Sequence, residues 1–386
     1  MITLYRNARL IDAQGDRYGD LCIEDGVITA CAPLCWQRAD RIIDMRRNAL
    51  MPAFIDLHCH LRDPGYPEKE TMETGMRAAL KGGYAHLIAM ANTDPVMATP
   101  DLVTANHEKA NHLHLCKLTQ AAAAGEALGD ETPTDRASLS RVTRVLSNDG
   151  KTIFSDEFMR QLLLDSGKYG FLISTHCQPE RKIVERDLNL LREVGGNLHI
   201  GHISRAETVD MVRRAKVEGL QLTCEVTPHH LFGWDSDYKV NPPLRTRADV
   251  EALIEGIKDG TIDCLATDHA PHTPQDKANG MAGISNIEYA FQIYLKVFQE
   301  NNIPLTRLSE MLSLNPAKRL GLKAGLFLPG YAANVTALSV EEESEIDAMT
   351  MISRSHNTPF NGRKVMGRVL KTIIDGETRY DYSTAI

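Results

Sequence analysis

Two imidazoles two residues apart, His58 and His60, close an apolar run that begins at Met51. If that run is a strand, alternate residues project to one face, so the two rings point together and Cys59 points away. Such a pair is a bidentate hook for a borderline-soft divalent ion such as zinc. Leu61-Arg62-Asp63-Pro64-Gly65 follows at once and sets a fixed cation beside the hook. A metal-activated hydrolytic site for an anionic substrate is the chemistry these residue types suggest. Any one histidine is more simply read as a hydrogen-bonded core residue, so the reading depends on partners elsewhere in the chain.

Those partners need elements to carry them. From Pro52 to about residue 330, apolar strand-like runs at 51–60, 85–90, 114–121, 142–149, 171–177, 197–204, 221–230 and 263–272 alternate with helix-like stretches. Near-continuous apolar strands separated by amphipathic segments indicate a parallel sheet. Eight such units over about 250 residues match an α/β fold of the TIM (β/α)8 barrel type. A doubly wound open sheet is the alternative, but no glycine-rich dinucleotide fingerprint follows the first strand. Helix signals include an amphipathic stretch over 68–80 stopped by Gly82-Gly83. Ser204 with Glu207 reads as a capping box for a helix to residue 216, and Thr246 as the cap of a helix to residue 257. Residues 1–51 and 330–386 hold short alternating segments broken by turns such as Glu24-Asp25-Gly26 and Asp375-Gly376. They predict one small β-domain built from both chain ends, beside a catalytic barrel over 52–329.

In a barrel of this type the working residues lie at the carboxyl ends of the strands. The first strand ends in His58 and His60, the fourth in Asp149, the fifth in His176, the sixth in His202 and the eighth in Asp268. Four histidines and two carboxylates then meet at one mouth, enough for two divalent ions with Asp149 between them. Such a pair, typically ~3.5–4 Å apart, lowers the pKa of bound water from about 15.7 towards ~7 and so provides hydroxide at neutral pH. Asp268 could take the proton on attack and return it to a leaving nitrogen.

Composition sets bounds. With 386 residues, 43% hydrophobic and 24% charged, the chain has the make-up of a globular protein with ample core. No apolar run approaches a membrane span, and the start lacks the apolar core of a leader peptide, so a cytoplasmic location is expected. Eight cysteines without CxxC spacing suit reduced thiols; Cys31 and Cys35 read as structural. A formal charge of −8 argues against nucleic acid and anionic membranes as partners. An anionic substrate would therefore need local positive charge, from metal ions and from Arg62.

Asp56-Leu-His58-Cys-His60-Leu-Arg62-Asp63-Pro64-Gly65, Met90-Ala-Asn92-Thr93-Asp-Pro95, Asn241-Pro-Pro-Leu-Arg245 and Ala266-Thr-Asp268-His-Ala-Pro-His272 together resemble the signatures of dihydroorotases in the amidohydrolase superfamily. Cys224-Glu225-Val-Thr-Pro228-His229-His230 and Asn357-Thr-Pro-Phe-Asn-Gly362 are similar too, so the resemblance spans nearly the whole chain. It implies His58, His60, Asp149, His176, His202 and Asp268 as metal ligands, with Asp268 also catalytic. It implies Arg62, Asn92 and His272 around a ring carboxylate, Asn241 facing the substrate, and the backbone of Ala282 and Gly283 at the ring's polar edge. A guanidinium reads a carboxylate through paired charged hydrogen bonds, which suits Arg62. Related allantoinases and hydantoinases do not usually carry the Arg-Asp-Pro-Gly continuation. The alternative for Arg62 is a salt bridge to Asp63.

The chain departs from the pattern in places. No lysine suited to carbamylation lies within the fourth strand; Lys151, just beyond it, is the alternative to an Asp149 bridge. Asn148 stands where the aspartate-bridged subgroup often has a second aspartate, and Cys177-Gln178-Pro179 follows His176 where acidic residues are more usual. Glu225, His229 and His230 are read equally as supports of a metal-binding imidazole or as a buried polar cluster. His86 and His199 are expected in the interior, and Cys177 is expected to face the helices. The resemblance implies a zinc-dependent cyclic amidase, with two ions, that interconverts N-carbamoyl-L-aspartate and L-dihydroorotate in pyrimidine synthesis. It also implies a homo-oligomer and leaves room for association with aspartate transcarbamoylase. The rivals are a hydantoinase- or allantoinase-like amidase and a catalytically silent partner of that transcarbamoylase.

Overall fold

The computed structural model describes residues 1–35 and 38–384. Five strands open the chain: β1 (Ile2–Asp12), β2 (Gly15–Glu24), β3 (Val27–Ala32), β4 (Arg41–Asp44) and β5 (Ala49–Pro52). The next eight are β6 (Phe54–Cys59), β7 (Tyr84–Ala89), β8 (Lys117–Gln120), β9 (Val145–Leu146), β10 (Leu172–Thr175), β11 (Leu198–Ile200), β12 (Leu222–Val226) and β13 (Cys264–Leu265). β14 (Val335–Glu345), β15 (Lys364–Ile374) and β16 (Glu377–Asp381) close it.

The middle eight are parallel and form a barrel. β6, β7 and β8 pair in order, as do β9 to β13. Two short seams join the sets. At one, Ser147 N–H donates to Ala122 O at 2.8 Å; at the other, Asp268 N–H donates to His58 O at 2.9 Å and His60 N–H to His269 O at 2.8 Å. Closure leaves no unpaired edge, and it draws the end of β13 against the end of β6. Asp56 locks that second seam. Its carboxylate accepts from the Thr267 hydroxyl at 2.6 Å and the Thr267 N–H at 2.9 Å. Burial pushes the Asp56 carboxyl up to about 7 despite those bonds.

With helices outside and packed side chains inside, strands such as β6 and β10 are buried throughout, whereas β8 begins exposed at Lys117. That is the physical source of the near-continuous apolar runs. The strands themselves are shorter than those runs, because each run continues into the loop that carries the functional residue. The 114–121 run also begins too early: the helix Pro100–Leu113 ends there, with His114 as its left-handed cap. The helix predicted over 68–80 forms as Met72–Lys81, capped by Thr71. Thr246 caps Arg247–Asp259 through a reciprocal box with Asp249. The predicted Ser204–Glu207 box does not form. The helix is Ala206–Val217 with Arg205 at its cap, because buried Glu180 takes both the hydroxyl and the N–H of Ser204.

Strands from the two chain ends make one eight-stranded sheet in the order β16-β15-β14-β5-β1-β2-β3, with β4 alongside β1. β14 runs antiparallel to β5, pairing Val335 with Pro52 at the entrance to the barrel. The sheet has its own core, including Tyr5, Leu10, Leu21, Leu50, Val335 and Ile373. The fold is thus a barrel with a small β-domain from both ends. No disulfide forms among the described residues, and seven of the eight cysteines are buried. Among those residues no helix is long and apolar enough to cross a membrane.

Candidate active site

At the carboxyl end of β6, His58 and His60 face the barrel mouth while Cys59 turns away, its thiol against Ile88 O. Asp149 lies past β9, His176 past β10, His202 past β11 and Asp268 past β13. All six side chains converge. Asp149 Oδ1 is 3.2 Å from His58 Nε2, 3.4 Å from His176 Nδ1 and 3.4 Å from His202 Nε2. Its other oxygen is 3.3 Å from His60 Nε2. Asp268 Oδ1 lies 3.2 Å from His60 Nε2 and 3.7 Å from His58 Nε2. Asp149 therefore stands between the two first-strand imidazoles and the other two.

The backbone is bent to achieve this. Arg62, His202 and Asp268 all have left-handed φ, at 57°, 32° and 44°. Side chains other than glycine rarely stay there unless their surroundings force it, and such residues cluster at functional sites. Gly201 has a related purpose. A Cβ at this position would fall 2.9 Å from Thr175 O and 3.4 Å from His58 Nδ1, blocking the approach of His202.

Electrostatics in the cluster are mutually supporting. Burial would raise the Asp149 carboxyl, but His58, His176 and His202 outweigh it and hold it well below the usual range. Burial likewise opposes ionisation of Asp268, and His60, His58 and His202 bring it down. Behind the cluster Glu225 accepts from His58 Nδ1 at 2.8 Å and from His199 Nε2 at 3.0 Å. Those imidazoles overcome its burial and lower its carboxyl to about 2. Glu225 is thus a support for a candidate ligand, orienting His58 with its Nε2 toward the mouth. His199 belongs to the same chain, and its Nδ1 meets Thr223 at 2.8 Å. His230 is structural, bonded to Thr227 and to Pro242 O.

The donor set fits divalent metal. His58 Nε2 and Asp149 Oδ1, although close, make no directed hydrogen bond, while His202 Nε2 lies 3.0 Å from His176 Nδ1. Buried polar atoms rarely go without a partner. His58, His60 and Asp268 bring ligand atoms within 4.8 Å of one another, and so do His58, Asp149 and His202. Lys151 points elsewhere: its exposed ammonium donates to Ala127 O at 3.0 Å. Asn148 is structural, its amide clamping the N–H of Ala124 and Gly125 and the carbonyl of Gly129.

Above the cluster a cleft of 330 Å³ is lined by His60, Arg62, Asn92, Asp149, His176, Asn241, Asp268, His272, Ala282 and Gly283. Arg62 does not pair with Asp63, which instead holds Lys109 at 2.6 Å and caps Met72 N–H. It donates to Pro271 O and to His272 Nε2, each at 3.2 Å. Burial and the adjoining Arg62 push His272 down to about 4, so it stays neutral and accepts that bond. Asn92 accepts from His60 Nδ1 at 2.9 Å, and Asn241 lies 3.0 Å from His176 Nε2. Gly283 has a φ of 145°, and a Cβ there would strike Ala270 O and the His272 ring, both at 2.7 Å. Its N–H is taken by Lys239 O, so at this edge Ala282 has the freer backbone.

Tyr66, Lys69 and Met281 also line the cleft and were missed in the sequence. Lys69 is a second cation at the Arg62 side, 3.4 Å from Asp276. Its place on a loop just before a helix offered no periodic signal. Cys177 packs toward the helix Glu180–Val194, near Asp187.

The chain is similar to known proteins in sequence and in fold. Residues 49–379 match the amidohydrolase family. A dihydroorotase of Clostridium botulinum is 35% identical over 396 residues, covering 98% of this chain and all of that one. A dihydroorotase of Lactiplantibacillus plantarum is 35% identical over 431 residues, with both chains fully covered. Among solved structures, an L-hydantoinase from Arthrobacter aurescens superposes with a TM-score of 0.90 at 22% identity, covering 97% of this chain and 95% of that one. A dihydropyrimidinase from Brevibacillus agri gives 0.88 at 20% identity, covering 98% and 95%. At such identities these two speak for the barrel fold alone. The chain belongs to the amidohydrolase family.

Proposed function

We propose that this protein is a dihydroorotase, hydrolysing L-dihydroorotate to N-carbamoyl-L-aspartate and running the reverse cyclisation. The observation that carries the reading is Arg62. Its guanidinium is free of Asp63 and is turned into the cleft beside the six-residue cluster, where an acid group on the substrate, such as a ring carboxylate, would meet it. The full-length relatives named dihydroorotase support it. Hydantoins and dihydrouracil have no such acid group.

We take residues 52–329 as the catalytic unit, with 1–51 and 330–386 as its β-domain. His58, His60, Asp149, His176, His202 and Asp268 would hold two zinc ions, with Asp149 as the bridge. Bound there, such ions would acidify water and polarise the amide carbonyl. The chain's own groups do the rest. Arg62 and Asn92 grip the ring carboxylate, the neutral His272 lies beside it with Nδ1–H as its one donor, and Asn241 with the Ala282 backbone orients the ring. The oxygen of water adds to the ring carbonyl carbon that lies between the methylene and a single nitrogen, and Asp268 takes the proton. The C–N bond then breaks, Asp268 returns the proton, and the freed nitrogen becomes the terminal amide of the carbamoyl group. In the other direction the same steps reverse with loss of water. The cytoplasm is the expected compartment, supported by the absence of disulfides among the described residues. Self-association, and association with aspartate transcarbamoylase, remain part of the proposal.

A substrate panel tests it. L-Dihydroorotate should be turned over far faster than hydantoin, dihydrouracil or allantoin. Preference for one of the uncharged rings would replace the reading with that of another cyclic amidase. No turnover of any of them by zinc-loaded protein would favour a silent structural partner.

A further inference from the structure

One buried histidine at the mouth has no part in the steps above. His229 lies in the short helix Pro228–Phe232 that follows β12, and its side chain has no exposure to solvent. Its Nε2 makes no hydrogen bond and sits 4.0 Å from Oδ2 of Asp268. On the other side of the ring, Nδ1 is 3.2 Å from the amide nitrogen of Asn286. That amide has only one tenable orientation, because the same nitrogen is 2.7 Å from the carbonyl of Thr267, which can only accept. Asn286 therefore presents an N–H to Nδ1. A neutral imidazole that accepts at Nδ1 carries its hydrogen on Nε2. The donor so fixed faces the carboxylate.

We propose that His229 is a positioning residue for Asp268, its Nε2–H held toward Oδ2 by the tautomer that Asn286 imposes. The proposal deepens the dihydroorotase reading and rests on Asp268 as proton carrier. The two oxygens of Asp268 look in different directions: Oδ1 toward His60 and His58, Oδ2 toward His229. An N–H directed at Oδ2 from 4.0 Å makes no hydrogen bond, but its electrostatic pull favours the roll of the carboxylate that keeps Oδ1 turned to the ligand cluster. The left-handed backbone at Asp268 aims the side chain, and His229 sets its roll. The rival explanation is packing alone, since the His229 and His230 rings lie 4.5 Å apart.

Zinc-loaded full-length variants separate the two. His229→Met keeps the bulk but loses the donor, and kcat should fall about 10- to 100-fold, as for other residues that orient a site from behind. KM and zinc content should stay near wild type. His229→Gln, whose amide N–H reaches in the same direction, should recover most of the loss. A Met variant as fast as wild type, or Met and Gln variants equally slow, would overturn the proposal. Should the Met variant not fold, Asn286→Asp tests the same device. A carboxylate there draws the hydrogen to Nδ1, so kcat should fall; unchanged turnover would count against the idea. Nitrogen-15 NMR of histidine-labelled protein reads the tautomer without any turnover. A bare Nδ1 with a protonated Nε2 is expected, and the reverse would overturn the proposal. A wild-type protein inert toward L-dihydroorotate yet carrying that tautomer would sink the functional reading while supporting the fixed donor.

Discussion

At the mouth of the barrel four imidazoles crowd two carboxylates, with polar atoms such as His58 Nε2 and Asp149 Oδ1 left without hydrogen bonds. At the opposite end, near the start of β7, His86 spends its Nε2 on the Thr119 hydroxyl at 2.9 Å and lies beside Lys117. The residue type is the same and the chemistry is opposed. One set is held with donor atoms available to a further partner, while the other is a half-buried group whose Nε2 is already bonded. The difference comes from position along the strand, because only the carboxyl ends open onto loops that bring in Asp149, His202 and Asp268. Substitutions at the mouth should therefore damage activity more than stability, and those at the other end the reverse.

The largest effect is expected at Asp268. Asp268→Ala should lower kcat by about 10²–10⁴-fold, the usual worth of a proton carrier, with zinc still bound and the circular dichroism spectrum unchanged. Turnover near wild type would remove its proposed role. Glu225→Gln comes next. Without a carboxylate on Nδ1, His58 loses its orientation and basicity, and zinc affinity should drop about 10- to 100-fold in competition with a chelating dye. Unaltered affinity would return Glu225 to a packing role. Arg62→Ala removes charged hydrogen bonds worth about 1.5–3 kcal/mol, so KM for L-dihydroorotate should rise about 10- to 100-fold with little change in melting temperature. A KM that does not move would discard the carboxylate clamp.

The smallest effect lies at the far end. Burial and Lys117 push His86 from 6.5 down to about 4. Between those values the unfolded chain binds a proton that the native chain refuses, so stability falls as pH drops from 6.5 to 4. His86→Gln should flatten that part of the slope in denaturant titrations at pH 7 and pH 5, with activity at neutral pH retained. Identical slopes for the two proteins would break the comparison at this end.

The mouth was legible in the sequence because its residues obey the strand period. The spacing of His58 and His60, and the place of Asp149, His176, His202 and Asp268 where apolar runs stop, follow from eight parallel strands ending on one side. Contacts between distant strands were not legible. Glu225 serves His58, 167 residues away, and Asp56 locks Thr267, 211 residues away. Neither pairing leaves a local pattern. The Ser204–Glu207 box failed for the same reason, since a local capping signal lost to Glu180 on a neighbouring helix. Tyr66 and Lys69 escaped notice because loop paths have no period to read.

Hydrolysis of L-dihydroorotate by the purified protein, followed through chelation and zinc re-addition, tests the convergent metal centre most directly. Turnover should disappear when metal is stripped and return when zinc is restored, saturating near two ions per chain. Undiminished turnover in metal-free protein would contradict the account.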